Sequence, residues 1–266
     1  MPISLNPRKV VSLTVLGVIV AVATLTASHS WGSYHWARTS NPFTLKVGDN
    51  VGADWDAYLD EAITDWSASA VLNLTEVTGG SNPRNCRPTP GRVEVCNSRY
   101  GNNGWLGIAQ IWISGTHITQ AITKVNDTYF DTANYNTPAW RRLVMCQEIG
   151  HDFGLDHQDE TFDNVNLGTC MDYTNDPDGG AGGASATDRS NEHPNQHDYQ
   201  QLESIYAHLD STTTVGQTLN RGADASQLNR GQFGALVRST NGGRTELFVL
   251  DLGNGQRVYT HVIWAD

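Results

Sequence analysis

The run from Thr137 to His157 constrains this chain more than any other feature. Thr137-Pro138 is a helix start, with proline at the first helical position, where its missing N–H is not needed. Beyond it, Trp140, Leu143, Val144, Gln147 and His151 share one stripe of a helical wheel, while Met145, Ile149 and Phe153 line another face. A helix apolar on two sides is a buried helix. Gln147 and His151 then stand one turn apart at inward positions, with Glu148 at the edge of the same face. Unpaired polar groups there would cost several kcal/mol, so they require partners. Gly154 can supply the left-handed backbone that ends a helix and folds the chain back, bringing His157 opposite His151.

Around that helix the order of elements predicts a mixed domain. Phe43 to Val47 alternates like a strand, and Asp54 to Ser69 carries Trp55, Tyr58, Leu59, Ala62, Ile63 and Trp66 at helical spacing. Val71 to Val77 returns to strand-like residues, which suggests a parallel pair with a helical crossover. A Pro/Gly/Asn-rich loop then holds Cys86 and Cys96, where a bridge would staple a hairpin-like excursion. Trp105 to Ser114 and Ile118 to Tyr129 read as two more strands, Gly179 to Asn195 as a surface loop, and His197 to Leu209 as a helix. After Ser211 to Thr214 come strand-like runs split by Asn241-Gly-Gly243 and Gly253-Asn-Gly255, a small terminal β-meander.

Composition narrows the class. Of 266 residues 28 are acidic and 17 basic, for a net charge of -11, and only three are lysine. Such a chain lacks the basic stripe that neutralises phosphates, which argues against nucleic acid. With 38% hydrophobic residues and eight tryptophans it can bury a real core. Arg8 and Lys9 precede an uncharged stretch from Val10 to Ala27, with small-residue exits at Ala21-Val22-Ala23 and Thr26-Ala27-Ser28. That order is a secretory signal; the competing reading is an uncleaved membrane anchor. Cleavage after Ala27 removes two basic groups and takes the charge from -11 to -13. Export makes the even number of cysteines fit two disulfides.

The segment Gln147-Glu-Ile-Gly-His151-Asp-Phe-Gly154-Leu-Asp-His157 resembles the long zinc motif of the metzincin metalloproteases, HExxHxxGxxH, with glutamine in place of the first histidine. Downstream, Cys170-Met171-Asp172-Tyr173 resembles the Met-turn of that clan, and the order of strands and helices resembles its matrixin-like branch over about residues 43 to 210. The resemblance implies a zinc metalloendopeptidase of α+β class, a zincin-like twisted mixed sheet on a central active-site helix. It makes His151 and His157 metal ligands with Gln147 in the third position, Glu148 the general base and Tyr173 a plausible oxyanion donor. Two side chains at i and i+4 plus a third from the returning chain can fill three corners of a tetrahedron, leaving the fourth for a water acidified by the metal.

Gln147 leaves three outcomes open. Its neutral amide oxygen completes a weaker site, another group replaces it, or the site holds no metal and the protein is a secreted, catalytically inactive binding module. Tyr173, Asp156, His117 and His197 are the replacement candidates, although His117, His193 and His197 read more simply as surface or capping histidines. Met171 and Gly154 have structural roles. Cys146 and Cys170 can bridge the helix to the Met-turn, leaving Cys86 with Cys96; the alternative is a buried free thiol at Cys146. Asn126-Asp-Thr128 has the form of a glycosylation sequon, and Asp176-Pro-Asp178-Gly-Gly can hold calcium or simply turn.

The expected division is a signal peptide at 1–27, an N-terminal segment at 28–42, the metalloprotease-like domain at 43–210, a linker at 211–220 and a small C-terminal β module at 221–266. The expected partners are one catalytic zinc and a peptide or protein substrate, with no nucleic acid and no stable membrane association after signal cleavage, for a secreted monomer. Between Arg142 and Arg189 no lysine or arginine occurs, while ten of the 28 acids fall there. That field favours a cation or a basic peptide.

Overall fold

The computed structural model describes Met1 and residues 34–180, 187–218 and 233–265. The remainder of the signal peptide expected at 1–27, and parts of the N-terminal segment, the Gly/Asn-rich loop, the linker and the C-terminal module, lie outside the described residues. Among the described residues no helix is long and apolar enough to cross a membrane.

Among the described residues nine strands form a mixed sheet. They are β1 (His35–Trp36), β2 (Phe43–Asn50), β3 (Leu72–Thr78), β4 (Val93–Ser98), β5 (Trp105–Ser114), β6 (His117–Asn126), β7 (Ala235–Thr240), β8 (Thr245–Gly253) and β9 (Gln256–Trp264). The helices are α1 (Ala53–Trp66), α2 (Asp127–Phe130), α3 (Pro138–His151) and α4 (Gln196–Ile205). The sheet order is β3-β2-β4-β6-β5-β9-β8-β7, with β1 also paired to β6. As the β-α-β pattern predicts, β2 and β3 run parallel with α1 as the crossover. The strand β4 lies in the stretch expected to be loop, and the strand expected to run to Tyr129 ends at Asn126, which also caps the short α2 by accepting from the Thr128 N–H.

Nearly every residue of β5 and β6 is buried, because both faces of the central strands are covered. On one face α3 packs on β5 and β6 and against α1, around a core that includes Trp36, Trp55, Trp66 and Phe153. On the other lies a smaller cluster of Trp112, Ile122 and Val258 with the Cys86–Cys96 disulfide. A second disulfide, Cys146–Cys170, joins α3 to the turn that holds Met171.

The C-terminal meander corrects the sequence expectation of an appended module. It does form antiparallel β7-β8-β9, but β9 pairs along β5 from Trp105↔Trp264 to Ser114↔Gln256, so these strands extend the central sheet. The cause is an apolar β9 buried on both faces from Thr260 to Ile263, which needs a neighbour on each side.

Candidate metal centre

Thr137 accepts from the Trp140 N–H and Pro138 occupies the first turn, so α3 starts where the sequence predicts. Every residue from Leu143 to His151 is buried. Gly154, at φ +95°, makes the reversal; a Cβ there would also strike the carbonyl oxygen of Tyr34, so no other residue fits. The reversal carries His157 back to His151, with ring centroids 4.8 Å apart.

A third imidazole completes the group. His261 of β9 lies with its centroid 4.1 Å from His151 and 4.4 Å from His157, and one nitrogen from each ring falls within 4.8 Å of the others. Strand register explains its place. Thr123, Ala109, His261 and Leu247 are successive partners across β6, β5, β9 and β8, a row on the sheet face beneath the end of α3. Two residues along β5, a Cβ on Gly107 would come within 2.5 Å of Glu148 Oε1, so glycine there admits the carboxylate.

Each of the two motif histidines is oriented through its other nitrogen. His151 Nδ1 lies 2.9 Å from the Leu155 carbonyl, which only accepts, so this nitrogen carries the proton. His157 Nδ1 lies 3.3 Å from Glu160 Oε1. This is the arrangement by which metal-binding histidines are held in one tautomer. Burial, then the neighbouring His157, keeps the His151 ring well below the ordinary imidazole range, and burial followed by His151 and His157 does the same to His261. Neutral imidazoles are the form a metal takes.

Glu148 is fully buried, neither carboxylate oxygen has a hydrogen-bond partner, and Oε2 lies 4.0 Å from His261 Nδ1. Burial pushes this carboxyl well above its ordinary range, and Asp152 pushes it further. His157 Nε2 and Gln147 Oε1 are likewise buried without a hydrogen bond. Such atoms each forfeit about 1–3 kcal/mol. Three imidazoles, unsatisfied buried acceptors and an adjacent carboxylate fit a zinc ion.

Of the residues picked from sequence, His151, His157 and Glu148 converge. Gln147 shares the buried face, but its Nε2 donates to the Cys170 carbonyl at 2.7 Å, which turns the amide toward the Met171 turn. Met171 is buried there, and its carbonyl accepts from the Gln158 N–H. The Tyr173 ring packs on His157, centroids 5.6 Å apart, while its hydroxyl donates to the Arg244 carbonyl at 2.9 Å. Asp156 pairs with Arg238 of β7, which also lies 3.2 Å from Glu160. The Asp176 run closes as a turn, the Gly179 N–H donating to the Asp176 carbonyl, and among the described residues it is not in a group of three or more donors close enough to hold an ion. Asn126 is fully buried, its amide donating to Gly101, Asn103 and Trp105, a poor place for a glycan.

Sequence reasoning missed His261 and Arg238. No spacing rule links β9 to the α3 motif; the available signal was one histidine on the Tyr259, His261, Ile263 face of an otherwise apolar strand.

No protein-family model and no curated protein matches the chain. Among solved structures it is similar to high choriolytic enzyme 1 (HCE-1), a hatching enzyme zinc-protease from the medaka fish Oryzias latipes, at 10% sequence identity and a TM-score of 0.37, over 66% of this chain and 96% of that one.

Proposed function

We propose that this chain is a secreted zinc-dependent metalloendopeptidase in which His151, His157 and His261 hold the ion and His261 stands in for the histidine that Gln147 replaces. The observation that carries the reading is the convergence of three buried imidazoles beside the unpartnered Glu148 carboxylate. When bound, zinc supplies Lewis-acid polarisation of the scissile carbonyl, acidifies a water and favours the ionised form of the carboxylate beside it. Glu148 then takes a proton from the attacking water and passes it to the leaving amine. The Leu155 carbonyl and Glu160 keep the proton on Nδ1 of His151 and His157 throughout. Tyr173 serves as oxyanion donor only after exchanging its Arg244 partner. An extended peptide would add alongside β7, the last strand of the sheet among the described residues, where Leu236 and Val237 are exposed.

One observation favours a second reading. Glu148, His151 and His261 are 0% exposed and His157 6%, and the β7–β8 hairpin is pinned over the site through Arg238 and the Arg244 carbonyl. A site closed in this way suits a secreted binding protein that keeps the metal without catalysis. Peptide-library cleavage by the zinc-loaded wild type and by Glu148→Ala separates the two. The peptidase reading expects cleavage that falls by about 10²–10⁴-fold in the variant while its zinc is retained. Bound zinc with no cleavage in either supports the binding protein, and no zinc with no cleavage removes both.

A further inference from the structure

A second group of metal donors lies away from α3. His35 on β1, His117 at the start of β6 and Asp210 just beyond α4 bring their donor atoms within 4.8 Å of one another, and His208 lies beside them. Asp210 Oδ1 is 3.4 Å from His35 Nε2, 3.1 Å from His117 Nε2 and 3.7 Å from His208 Nε2, and the His35 and His208 Nε2 atoms are 3.1 Å apart. Donors at zinc–ligand distances of about 2.0–2.1 Å on a tetrahedron are separated by about 3.3 Å. The separations of Asp210 from His35 and His117 bracket that value, and His208 stands beside His35 and Asp210 at the edge of this three-donor group.

Hydrogen bonding sets the orientation of these groups. Two imidazole nitrogens at 3.1 Å cannot both carry a proton toward the other, so at least one presents a lone pair. The second oxygen of Asp210 is already occupied, accepting from the Arg38 N–H at 3.1 Å and the Arg38 guanidinium at 2.9 Å. Arg38 is itself 2% exposed, with other donors on the Tyr206 and His208 carbonyls and the Asn41 side-chain oxygen. The carboxylate is therefore held from behind, with Oδ1 turned to the three rings, as an outer partner orients a metal ligand.

We propose that His35, His117, His208 and Asp210 form a second, structural zinc site that fastens β1 and the chain after α4 to the β5–β6 turn. A rotation of the half-exposed His208 ring brings in the fourth donor, which fills the site with protein and leaves no place for a reacting water, in contrast to the α3 site. It does not depend on the peptidase reading. His117 and His208 have side chains 34% and 54% exposed, so the ion can enter from solvent and either ring can be replaced without opening the core.

The test is zinc per chain, by mass spectrometry of the metal after zinc loading and gel filtration, in wild type, His208→Ala, His117→Ala and His151→Ala. Two ions are expected in wild type and one in each variant, with circular dichroism confirming that each is folded. A single wild-type ion lost in His208→Ala and His117→Ala but kept in His151→Ala upholds this site and removes the α3 ion. A wild-type content unchanged in both His208→Ala and His117→Ala, or no zinc at all, overturns the proposal. Cobalt loading of His151→Ala gives an independent readout: an intense visible band from tetrahedral cobalt is expected, and its absence overturns the proposal.

Discussion

His151 and His157 reach the candidate metal centre through a helix and the reversal behind it, whereas His261 reaches it through strand register. The first pair is closed within one short segment, by the Thr137 cap, the buried stripe of α3 and the left-handed Gly154. The third ring needs β9 paired to β5 with His261 opposite Ala109, and a slip of one residue would turn it to the other face of the sheet. Local geometry is written in spacing; register is written in a whole strand's fit to its neighbour. A site built from both holds together only if the C-terminal strands are locked on the domain, and the contacts across that junction are where the comparison can be tested.

The largest stability effect is expected on the local side. Asp198 caps α4, accepts from the Asn195 N–H and pairs with the Thr169 hydroxyl beneath Met171, and burial raises its carboxyl to about 6 from 3.8. The native state therefore holds this proton more tightly than the unfolded chain, so the contribution is fully present below pH 3.8 and is lost as pH rises to about 6. Relative to Asp198→Asn, wild type should lose about 3 kcal/mol of unfolding free energy across that window, measured by denaturant titration at several pH values. A difference that does not change with pH would show that Asp198 is ionised in the fold throughout.

Next in size is the clamp between the two regions. Arg238→Gln removes the pairings of β7 with Asp156 and Glu160. With Arg238 34% and Asp156 11% exposed, a loss of about 1–2 kcal/mol is expected, between the values for surface and buried pairs. Hydrogen exchange should quicken in β7 and β8 more than in α3. Equal quickening would mean that the junction and the helix unfold as one unit.

The smallest effect belongs to Tyr173→Phe, which deletes the hydroxyl bond to the Arg244 carbonyl and should cost about 0.5–1.5 kcal/mol. If the hydroxyl only tethers the hairpin, kcat is unchanged; a fall in kcat at constant KM assigns it to the oxyanion.

How much was legible follows the same division. The boundaries of α3, the β2-α1-β3 unit and β5 could be read because each is a periodic segment with its own start signal. Strand β4 was not, since Val93 to Ser98 follows a Pro/Gly-rich loop and gains its identity from parallel neighbours β2 and β6. His117 reads as a surface histidine alone and becomes a candidate metal donor only beside His35 and Asp210. Glu148, His151 and His157 were found by motif spacing; His261 was not, because its position depends on which strand pairs with β5.

The most direct measurement is zinc content in two single variants, Gln147→Ala and His261→Ala, each made in a His208→Ala background so that the outer cluster contributes no ion. The account predicts one zinc per chain with Gln147→Ala and none with His261→Ala. Zinc kept without His261 and lost without Gln147 would contradict it, returning the third ligand to the helix.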